Sequence, residues 1–305
     1  MRIVHSLQEA RPERETVLTI GAFDGLHLGH QELLQRLIEQ AHRTDRVSAV
    51  LTFDPLPRSV LDSVGNAICL IKVEDKTALL EQWGVELLVV LPFNTQLAQT
   101  AAQEFVQMLR QHLRMSELWV GWDFALGRGR AGDVAALRKL ASTLGFRLHV
   151  IRPVRDGEVV ISSSHIRSLI SQGRVAEAAE MLGRFHKLSG VVQHGAARGG
   201  QLGFPTANLQ VAEHCALPAT GVYAVYATVR GRTYPGVANV GFRPTFGGGE
   251  LTVEVHLLSL KRDVYGEELK VEFVERLRAE QRFESAAKLR AQIEKDIASA
   301  REILE

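Results

Sequence analysis

The sequence is poor in the residues that would indicate an extracellular or membrane-embedded protein. Its 305 residues include two cysteines, Cys69 and Cys215, which lie far apart and match no metal-binding or redox spacing. Without a disulfide framework, a reducing compartment is expected. The first residues lack the apolar core of a secretory signal peptide, and no apolar run is long enough to span a bilayer. We therefore expect a cytoplasmic protein with no membrane partner.

An excess of charge of one sign is also missing. Lysine and arginine number 36 and aspartate and glutamate 35, so the formal net charge is +1. Such a chain has no global field that draws it to nucleic acid, and we expect no nucleic-acid partner. Any anion site must arise from local arrangement. The 46% of hydrophobic residues suffices for two packed cores. Whether the protein associates weakly with itself is left open.

The first half of the chain alternates short apolar runs with segments of helical spacing. The spacing predicts helices near residues 33–41, 76–83, 101–113 and 134–144. Apolar runs predict strands at residues 16–20, 47–53, 85–91, 117–120 and 146–151. Strands that alternate with helices are typical of a doubly wound α/β fold, whose parallel sheet is covered on both faces.

The pattern changes near residue 183. Short strands separated by glycine- and proline-rich turns are then predicted at residues 188–194, 222–229, 233–240, 251–258 and 269–277. They indicate a small antiparallel β-barrel. A closing helix follows at 284–304, with candidate buried positions Ala287, Leu289, Ile293, Ile297 and Ile303. We therefore predict two domains, residues 1–182 and 183–305.

The first candidate site follows the strand at 16–20, where residues 21–30 have the sequence GAFDGLHLGH. Gly21 and Gly25 permit a tight turn and a close approach of the backbone to a ligand. A helix that starts near His27 offers unpaired N–H groups and the positive end of its dipole. His27 and His30 share one helix face, and Gly29 between them leaves room for a phosphate chain. The segment predicts a polyphosphate site.

Two other interpretations of the histidine pair are open. A single histidine is more often structural than catalytic, and two histidines three positions apart on a helix can bind zinc. Zinc would require further histidine, cysteine or carboxylate ligands, and the flanking glycines would then have no purpose. The phosphate interpretation is therefore favoured.

The second candidate site is a glycine-rich segment at residues 195–208, GAARGGQLGFPTAN. Its four glycines favour a loop whose amides cradle phosphates. Thr206 and Asn208 are two positions apart, so on an extended segment they point the same way and form a weak oxygen site suited to the Mg²⁺ of ATP. The alternative is a hairpin turn with a threonine and an asparagine that face solvent.

A later strand, residues 253–257, carries a carboxylate. Glu254 and His256 share one face, and Val253, Val255 and Leu257 share the other. A carboxylate on the inner side of a strand is costly unless it has a use. If Glu254 faces solvent instead, it is an ordinary surface residue. The residues alone leave both alternatives open.

The segment FDGLHLGH within residues 23–30 resembles the signature of the nucleotidylyltransferase superfamily, in the form found in prokaryotic bifunctional riboflavin kinase/FAD synthetases. Residues 161–167, ISSSHIR, resemble the second phosphate motif of the superfamily, and 121–127 resemble its flavin- and nucleotide-facing loop. In the second half, the resemblance is to riboflavin kinases, at residues 203–208, 236–241, 243–246, 253–257 and 278–283. The resemblance covers residues 16–298.

The resemblance implies an α/β nucleotidylyltransferase domain followed by a riboflavin kinase-like barrel and a C-terminal helix. It further implies a cytoplasmic enzyme that phosphorylates riboflavin to FMN with ATP and then adenylylates FMN to FAD, with Mg²⁺ as cofactor. Its partners are then small molecules: riboflavin, FMN, FAD and ATP.

The resemblance also assigns roles to residues. His27 and His30 would stabilise the transition state of adenylyl transfer, Arg167 would hold the leaving pyrophosphate, and Glu254 would be the general base of the kinase. The adenylyltransferase would bind ATP through Gly21, Phe23, Asp24, Gly25, His27, His30, Ser163, Ser164 and Arg167, and flavin through Asp54, Asp123 and Phe124. The kinase would bind ATP through Gly195, Arg198, Gly203, Thr206 and Asn208, Mg²⁺ through Thr206 and Asn208, and flavin through Asn239, Arg243, Glu254, Arg278 and Phe283.

The sequence departs from the family pattern at a few positions, and none removes a catalytic group. The departures are Asp54 for glutamate, Leu56 for histidine, Ala125 in a loop that lacks the usual arginine, Ser164 for threonine and Gly200 for a basic residue. Gly200 supports one alternative, an adenylyltransferase whose barrel binds flavin without kinase activity. A further alternative is a flavin-binding protein that is not an enzyme, although simple binding does not require both histidines.

Overall fold

The computed structural model describes residues 1–61, 68–194, 203–211, 214–243, 250–260 and 262–305, with the backbone alone at Arg243 and Glu250. The chain divides into two compact units, Met1–Ser162 and Ser163–Glu305. The predicted domains, 1–182 and 183–305, place two helices differently, and the boundary at residue 183 stays a prediction.

The first unit is a parallel sheet with helices. Its strands are β1 Arg2–Val4, β2 Thr16–Ile20, β3 Val47–Phe53, β4 Leu87–Leu91, β5 Met115–Gly121, β6 Ala125–Leu126, β7 Gly132–Asp133, β8 Arg147–Ile151, β9 Arg155–Asp156 and β10 Val159–Val160. Its helices are α1 Leu7–Ala10, α2 Leu28–Arg43, α3 Pro57–Leu61, α4 Val73–Gln82, α5 Thr95–Ala98, α6 Ala102–Leu113 and α7 Val134–Leu144, with a 3₁₀ turn at Arg128–Arg130.

Six of these strands form one sheet in the order β1-β4-β3-β2-β5-β8, and every neighbouring pair is parallel. All residues of β2 and β4 are buried, as expected for strands covered on both faces. The apolar runs that predicted β2 and β4 therefore lie in the sheet interior. The predicted doubly wound α/β fold is confirmed.

The strand order indicates which edge of the sheet can bind a ligand. Strand β2 has β3 on one side and β5 on the other, and the chain runs outward from it in both directions. At such a reversal of strand order, the loops beyond the carboxyl ends of the strands diverge and leave a crevice, where open α/β sheets bind ligands. The turn after β2 and the loop after β5 border this crevice.

The second unit contains the predicted barrel. Its helices are α8 Ser163–Ser171, α9 Val175–Leu182 and α10 Ala286–Leu304. Its strands are β11 His186–Gln193, β12 Ala207–Val211, β13 Gly221–Val229, β14 Arg232–Arg243, β15 Glu250–Leu257 and β16 Glu268–Arg278. They close into a barrel in the order β11-β12-β15-β14-β13-β16, with all pairs antiparallel. The antiparallel barrel and the C-terminal helix are confirmed.

The barrel core follows the two-residue period of its strands. Val253, Val255 and Leu257 of β15 are buried in the core with the fully buried rings of Tyr223 and Phe273. The alternate residues of β15 therefore face outward.

Helix α10 packs against the barrel largely with the expected face, since Leu289, Ile293 and Ile297 are half-buried. Ala287 and Ile303 are exposed, whereas Asp296, Ala300 and Leu304 are buried. A carboxylate can occupy this face because Arg278 of β16 neutralises it, with a guanidinium nitrogen 2.8 Å from the Asp296 carboxylate. The apolar positions alone therefore predicted this face in part, and they did not identify Asp296, Ala300 and Leu304 as its most buried residues.

Candidate active sites

The turn after β2, residues 21–27, leads directly into helix α2 and is called the signature turn below. Gly25 has a positive φ of 82°, which glycine adopts without strain. Phe23 and Leu26 also have positive φ values, 46° and 42°, although they carry side chains. Both are almost fully buried, so packing holds the turn in this conformation.

The two histidines meet at the start of helix α2. His27 is the N-cap residue, and α2 begins at Leu28 as predicted. The rings of His27 and His30 are stacked, with centroids 3.7 Å apart and an interplanar angle of 20°. The ring of Phe23 packs edge-on against His30 at 5.2 Å. His27 is 7% exposed and His30 is half-buried, so the pair forms one packed unit at the positive end of the helix dipole.

The glycines of this segment accommodate rings. A Cβ atom at Gly29 would lie 3.2 Å from the ring of His27, and one at Gly21 would lie 3.2 Å from the ring of Phe23. A side chain at position 29 would thus meet the His27 imidazole. The expectation that Gly29 leaves room for a phosphate chain stays a prediction. Asp24 is buried, and its Oδ1 accepts a hydrogen bond of 2.8 Å from the Leu70 amide.

Sequence reasoning missed a buried lysine beside the signature turn. Lys76 of helix α4 is 3% exposed, and its Nζ donates to the Ala22 carbonyl at 2.7 Å and to Thr52 Oγ1 at 3.2 Å. Burial lowers the pKa of Lys76, and the charges of Asp24 and Asp54 oppose that shift. Lys76 is four residues before Leu80, which is also buried. A lysine on the apolar face of a helix was the available sequence clue.

An apolar cavity of about 370 Å³ lies at the carboxyl edge of the sheet in the first unit. Its walls include three aromatic residues near strand ends, namely Phe53 at the end of β3, Phe93 after β4 and Phe124 after β5. Two cations, Arg58 and Arg130, also line it. The volume and the lining suit a planar organic ligand with a negatively charged group. Phe124 is a predicted flavin residue, whereas Phe53 and Phe93 were not identified from the sequence.

The other two predicted flavin residues of this unit are at the same sheet edge but do not line the cavity. Asp54 is exposed after β3, and Asp123 is exposed after β5. The carbonyl of Asp123 accepts a hydrogen bond of 3.0 Å from Arg130 Nη2. Contact of Asp54 and Asp123 with flavin stays a prediction.

The predicted ATP residues of the second phosphate motif, Ser163, Ser164 and Arg167, belong to the second unit. Ser163 and Ser164 are in the first turn of helix α8, and Arg167 follows on the same helix. Arg167 Nη2 donates to Ser164 Oγ at 3.3 Å. The role of these residues toward ATP stays a prediction.

The barrel carries a row of polar residues across three neighbouring strands. Glu254 of β15 is paired with Asn208 of β12 on one side and with Asn239 of β14 on the other. Thr206 Oγ1 donates to Glu254 Oε2 at 3.4 Å. All four residues are half-buried. Glu254 therefore faces outward from the barrel core, but among polar partners rather than as an isolated surface carboxylate. We call Thr206, Asn208, Asn239 and Glu254 the barrel row.

The segment before Thr206 is held against β15, the strand that carries Glu254. His256 Nδ1 donates to the Pro205 carbonyl at 2.7 Å, and the rings of Phe204 and His256 are in edge-on contact at 5.8 Å. Gly203 is exposed with a φ of 91°. His256 thus holds the backbone that presents Thr206 to Glu254.

The remaining kinase residues differ in what the structure shows. The Arg278 guanidinium is held by Asp296 and lies 5.7 Å from the centre of the Phe283 ring, a cation–π contact. Gly195, Arg198 and Gly200 lie outside the described residues, as does the side chain of Arg243.

The barrel row has the donor chemistry that Mg²⁺ requires. Thr206 and Asn208 supply a hydroxyl and an amide oxygen beside a carboxylate, and Mg²⁺ prefers oxygen ligands that it shares with substrate phosphates. Within the described ranges, no three His, Cys, Asp or Glu side chains are grouped so that they could hold a metal ion by themselves.

Comparison with protein families gives two matches that follow one another along the chain. Residues 9–165 match the family model described as FAD synthetase, and residues 182–304 match the model described as riboflavin kinase. Proteins named bifunctional riboflavin kinase/FMN adenylyltransferase are similar over nearly the whole length. The protein from Escherichia coli K12 is 38% identical, with 99% of this chain and 96% of that protein aligned. The Bacillus subtilis protein is 35% identical, with 93% and 91% aligned.

Among solved structures, a Streptococcus pneumoniae protein described as a macrolide-efflux protein has the same fold. It superposes with a TM-score of 0.91 at 30% identity and covers 98% of both chains. In the part of this chain that the structure describes, no helix combines the length and the apolar character needed to cross a membrane.

Proposed function

The chain belongs to the family of bifunctional riboflavin kinase/FMN adenylyltransferases, and from this membership we propose which residues carry its two reactions. As a member, it phosphorylates riboflavin with ATP to give FMN and adenylylates FMN with ATP to give FAD. We assign adenylyl transfer to residues 1–182 and the kinase to residues 183–305. Because both halves match their family models, a barrel without kinase activity is not favoured.

The observation that carries the adenylyltransferase assignment is the stacked histidine pair at the start of α2, beside the reversal of strand order. Backbone N–H groups at a helix start and two imidazoles can bind the phosphates of ATP. The attacking group is a phosphate oxygen of FMN, which is already an anion and needs no strong base. It attacks the α-phosphorus of ATP, and the bond to the β-phosphate oxygen breaks to release pyrophosphate.

Catalysis of this step is therefore positioning and stabilisation of negative charge. We propose that His27 and His30 donate hydrogen bonds to the reacting phosphate as charge develops. Arg167 holds the leaving pyrophosphate, for which a guanidinium is suited because it binds phosphate oxygens in pairs.

The flavin ring of FMN occupies the apolar cavity in this proposal. Phe53, Phe93 and Phe124 offer aromatic surface to the ring system, and aromatic contacts of this kind favour planar ligands. Arg58 and Arg130 in the cavity wall attract the phosphate of FMN. Riboflavin has an uncharged hydroxyl in place of this phosphate. The two arginines thus favour FMN over riboflavin as the acceptor of AMP.

The kinase reaction is assigned to the barrel row. Glu254 accepts the proton of the riboflavin 5′-hydroxyl while its oxygen attacks the γ-phosphorus of ATP, and ADP leaves. Thr206 and Asn208 would hold Mg²⁺, which supplies charge neutralisation on the phosphates when bound. The 3.4 Å contact of Thr206 with Glu254 supports this proposal, because the proposed base and a proposed metal ligand are then neighbours.

One assay tests the division of labour. The protein is incubated with ATP, Mg²⁺ and either riboflavin or FMN, and the flavins are separated by chromatography. We expect riboflavin to give FMN and then FAD, and added FMN to give FAD. Formation of FAD from FMN without any conversion of riboflavin would contradict the kinase assignment, and absence of both conversions would contradict the enzyme.

A further inference from the structure

Lys76 is buried at a cost that its contacts must offset. An ammonium group at 3% exposure loses most of its hydration, which is unfavourable unless hydrogen bonds replace the water. Its Nζ has two such bonds, to the Ala22 carbonyl and to Thr52 Oγ1. Thr52 Oγ1 itself donates to the same Ala22 carbonyl at 3.2 Å. Two donors from different elements therefore converge on one oxygen of the signature turn.

The Ala22 carbonyl oxygen lies next to residues of the signature turn that have an uncommon backbone conformation. Ala22 precedes Phe23, which has a left-handed backbone, and Leu26 further along the turn has the same conformation. Residues with side chains keep this conformation only where the surroundings enforce it. The side chain of Phe23 in turn contacts the ring of His30. A shift at Ala22 would thus be transmitted through one residue to the histidine pair.

Building on the proposed function, we propose that Lys76 is a positioning residue for adenylyl transfer: it fastens the Ala22 carbonyl, and through the signature turn it keeps His27 and His30 in their stacked arrangement. The lowered pKa of Lys76, caused chiefly by burial, agrees with this buried position.

The geometry favours positioning over direct contact with substrate. A lysine that binds a phosphate presents its ammonium to solvent or to the ligand, whereas Lys76 is nearly inaccessible and directs its donors at protein oxygens. The apolar cavity does not include Lys76 in its lining. Loss of its ammonium should therefore affect the chemical step more than the binding of flavin.

The test compares Lys76→Met, which keeps the length of the side chain without its donors, with Lys76→Arg, which restores donors. Lys139→Met, on the exposed side of α7 in the same unit, is the matched control. For each protein, kcat and KM for FMN are measured in FAD formation, riboflavin phosphorylation is measured separately, and thermal unfolding is recorded.

We expect Lys76→Met to lower kcat for FAD formation at least roughly tenfold while KM for FMN stays within about twofold. The unfolding temperature should not fall, because methionine removes a buried charge. Riboflavin phosphorylation should not fall either, because it is assigned to the other half of the chain. Lys76→Arg should recover much of kcat, and Lys139→Met should behave as wild type.

Three results would overturn the inference: full kcat in Lys76→Met, a rise in KM for FMN that accounts for the loss, or a loss that Lys76→Arg does not reverse. Failure of the wild-type protein to form FAD from FMN would instead refute the proposed function, so the two failures are distinguishable. If Lys76→Met does not fold, Thr52→Val tests the same carbonyl contact, and unchanged kcat in that variant would also count against the inference.

Discussion

Glu254 lies directly across from Asn208 on the neighbouring strand, on the outer face of the barrel. The two residues are register partners of β15 and β12, and Thr206 just before β12 donates to the same carboxylate. A base and two oxygen ligands for Mg²⁺ are thereby brought together by strand pairing, although they are far apart in sequence.

Glu254→Gln should lower riboflavin phosphorylation by roughly 10²–10³-fold, because the amide cannot accept the hydroxyl proton. FAD formation from FMN should not change, since that reaction is assigned to the other half of the chain. The two reactions are measured separately by chromatography, with Glu275→Gln as control, because Glu275 is an exposed residue of β16. Full kinase activity in Glu254→Gln would show that another group accepts the proton.

His30→Ala should have the opposite selectivity. FAD formation from FMN should fall by roughly 10²–10³-fold, the usual effect of losing one transition-state donor, while riboflavin phosphorylation is retained. His42→Ala is the control, because His42 is exposed near the other end of the same helix. A near-normal rate of FAD formation in His30→Ala would remove the histidine from the mechanism.

Arg130→Ala should raise KM for FMN roughly tenfold, since a charge-assisted hydrogen bond to phosphate is worth about 1.5–3 kcal/mol. The matched control is Arg128→Ala, in the same 3₁₀ turn but outside the cavity lining. Steady-state kinetics of FAD formation distinguish the two variants. Equal KM values for both would mean that Arg130 does not contact the substrate phosphate.

Stability should depend on pH through His186 of the barrel. Burial lowers the pKa of His186 to about 4, although its Nε2–H donates to the Ala216 carbonyl. In the unfolded chain the pKa is near 6.5, so the unfolded state binds more protons between these values. The stabilising effect of the neutral, buried His186 is complete above pH 6.5 and is lost as the pH falls toward 4.

Because of His186, the free energy of unfolding should fall by about 2 kcal/mol when the pH is lowered from 7 to 5. Denaturant unfolding of the wild type and of His186→Gln at several pH values measures it. The variant should lose this part of the pH dependence, and the exposed control His214→Gln should keep it. Parallel curves for wild type and His186→Gln would contradict the buried neutral state.

Some sequence predictions failed where a tertiary partner changed the meaning of a residue. Ala287 and Ile303 seemed suitable for the buried face of α10 by composition, yet Asp296 is buried there because Arg278 neutralises it. The deciding atoms there belong to the Arg278 side chain, whose position helical periodicity does not specify.

The sequence by itself determined the signature turn, the five longest helices and the strands of the sheet and the barrel except β1 and β12. Alternation, helical spacing and glycine conformations act between residues that are near in the chain. Strands β2 and β3 have the predicted bounds, and α2 begins where the histidines indicated. Only the tertiary structure decided the cavity lined by Phe53, Phe93 and Phe124, the barrel row and the burial of Lys76. These depend on which strands become neighbours, and that order is set by the packing of whole sheets, a long-range effect that no local pattern encodes.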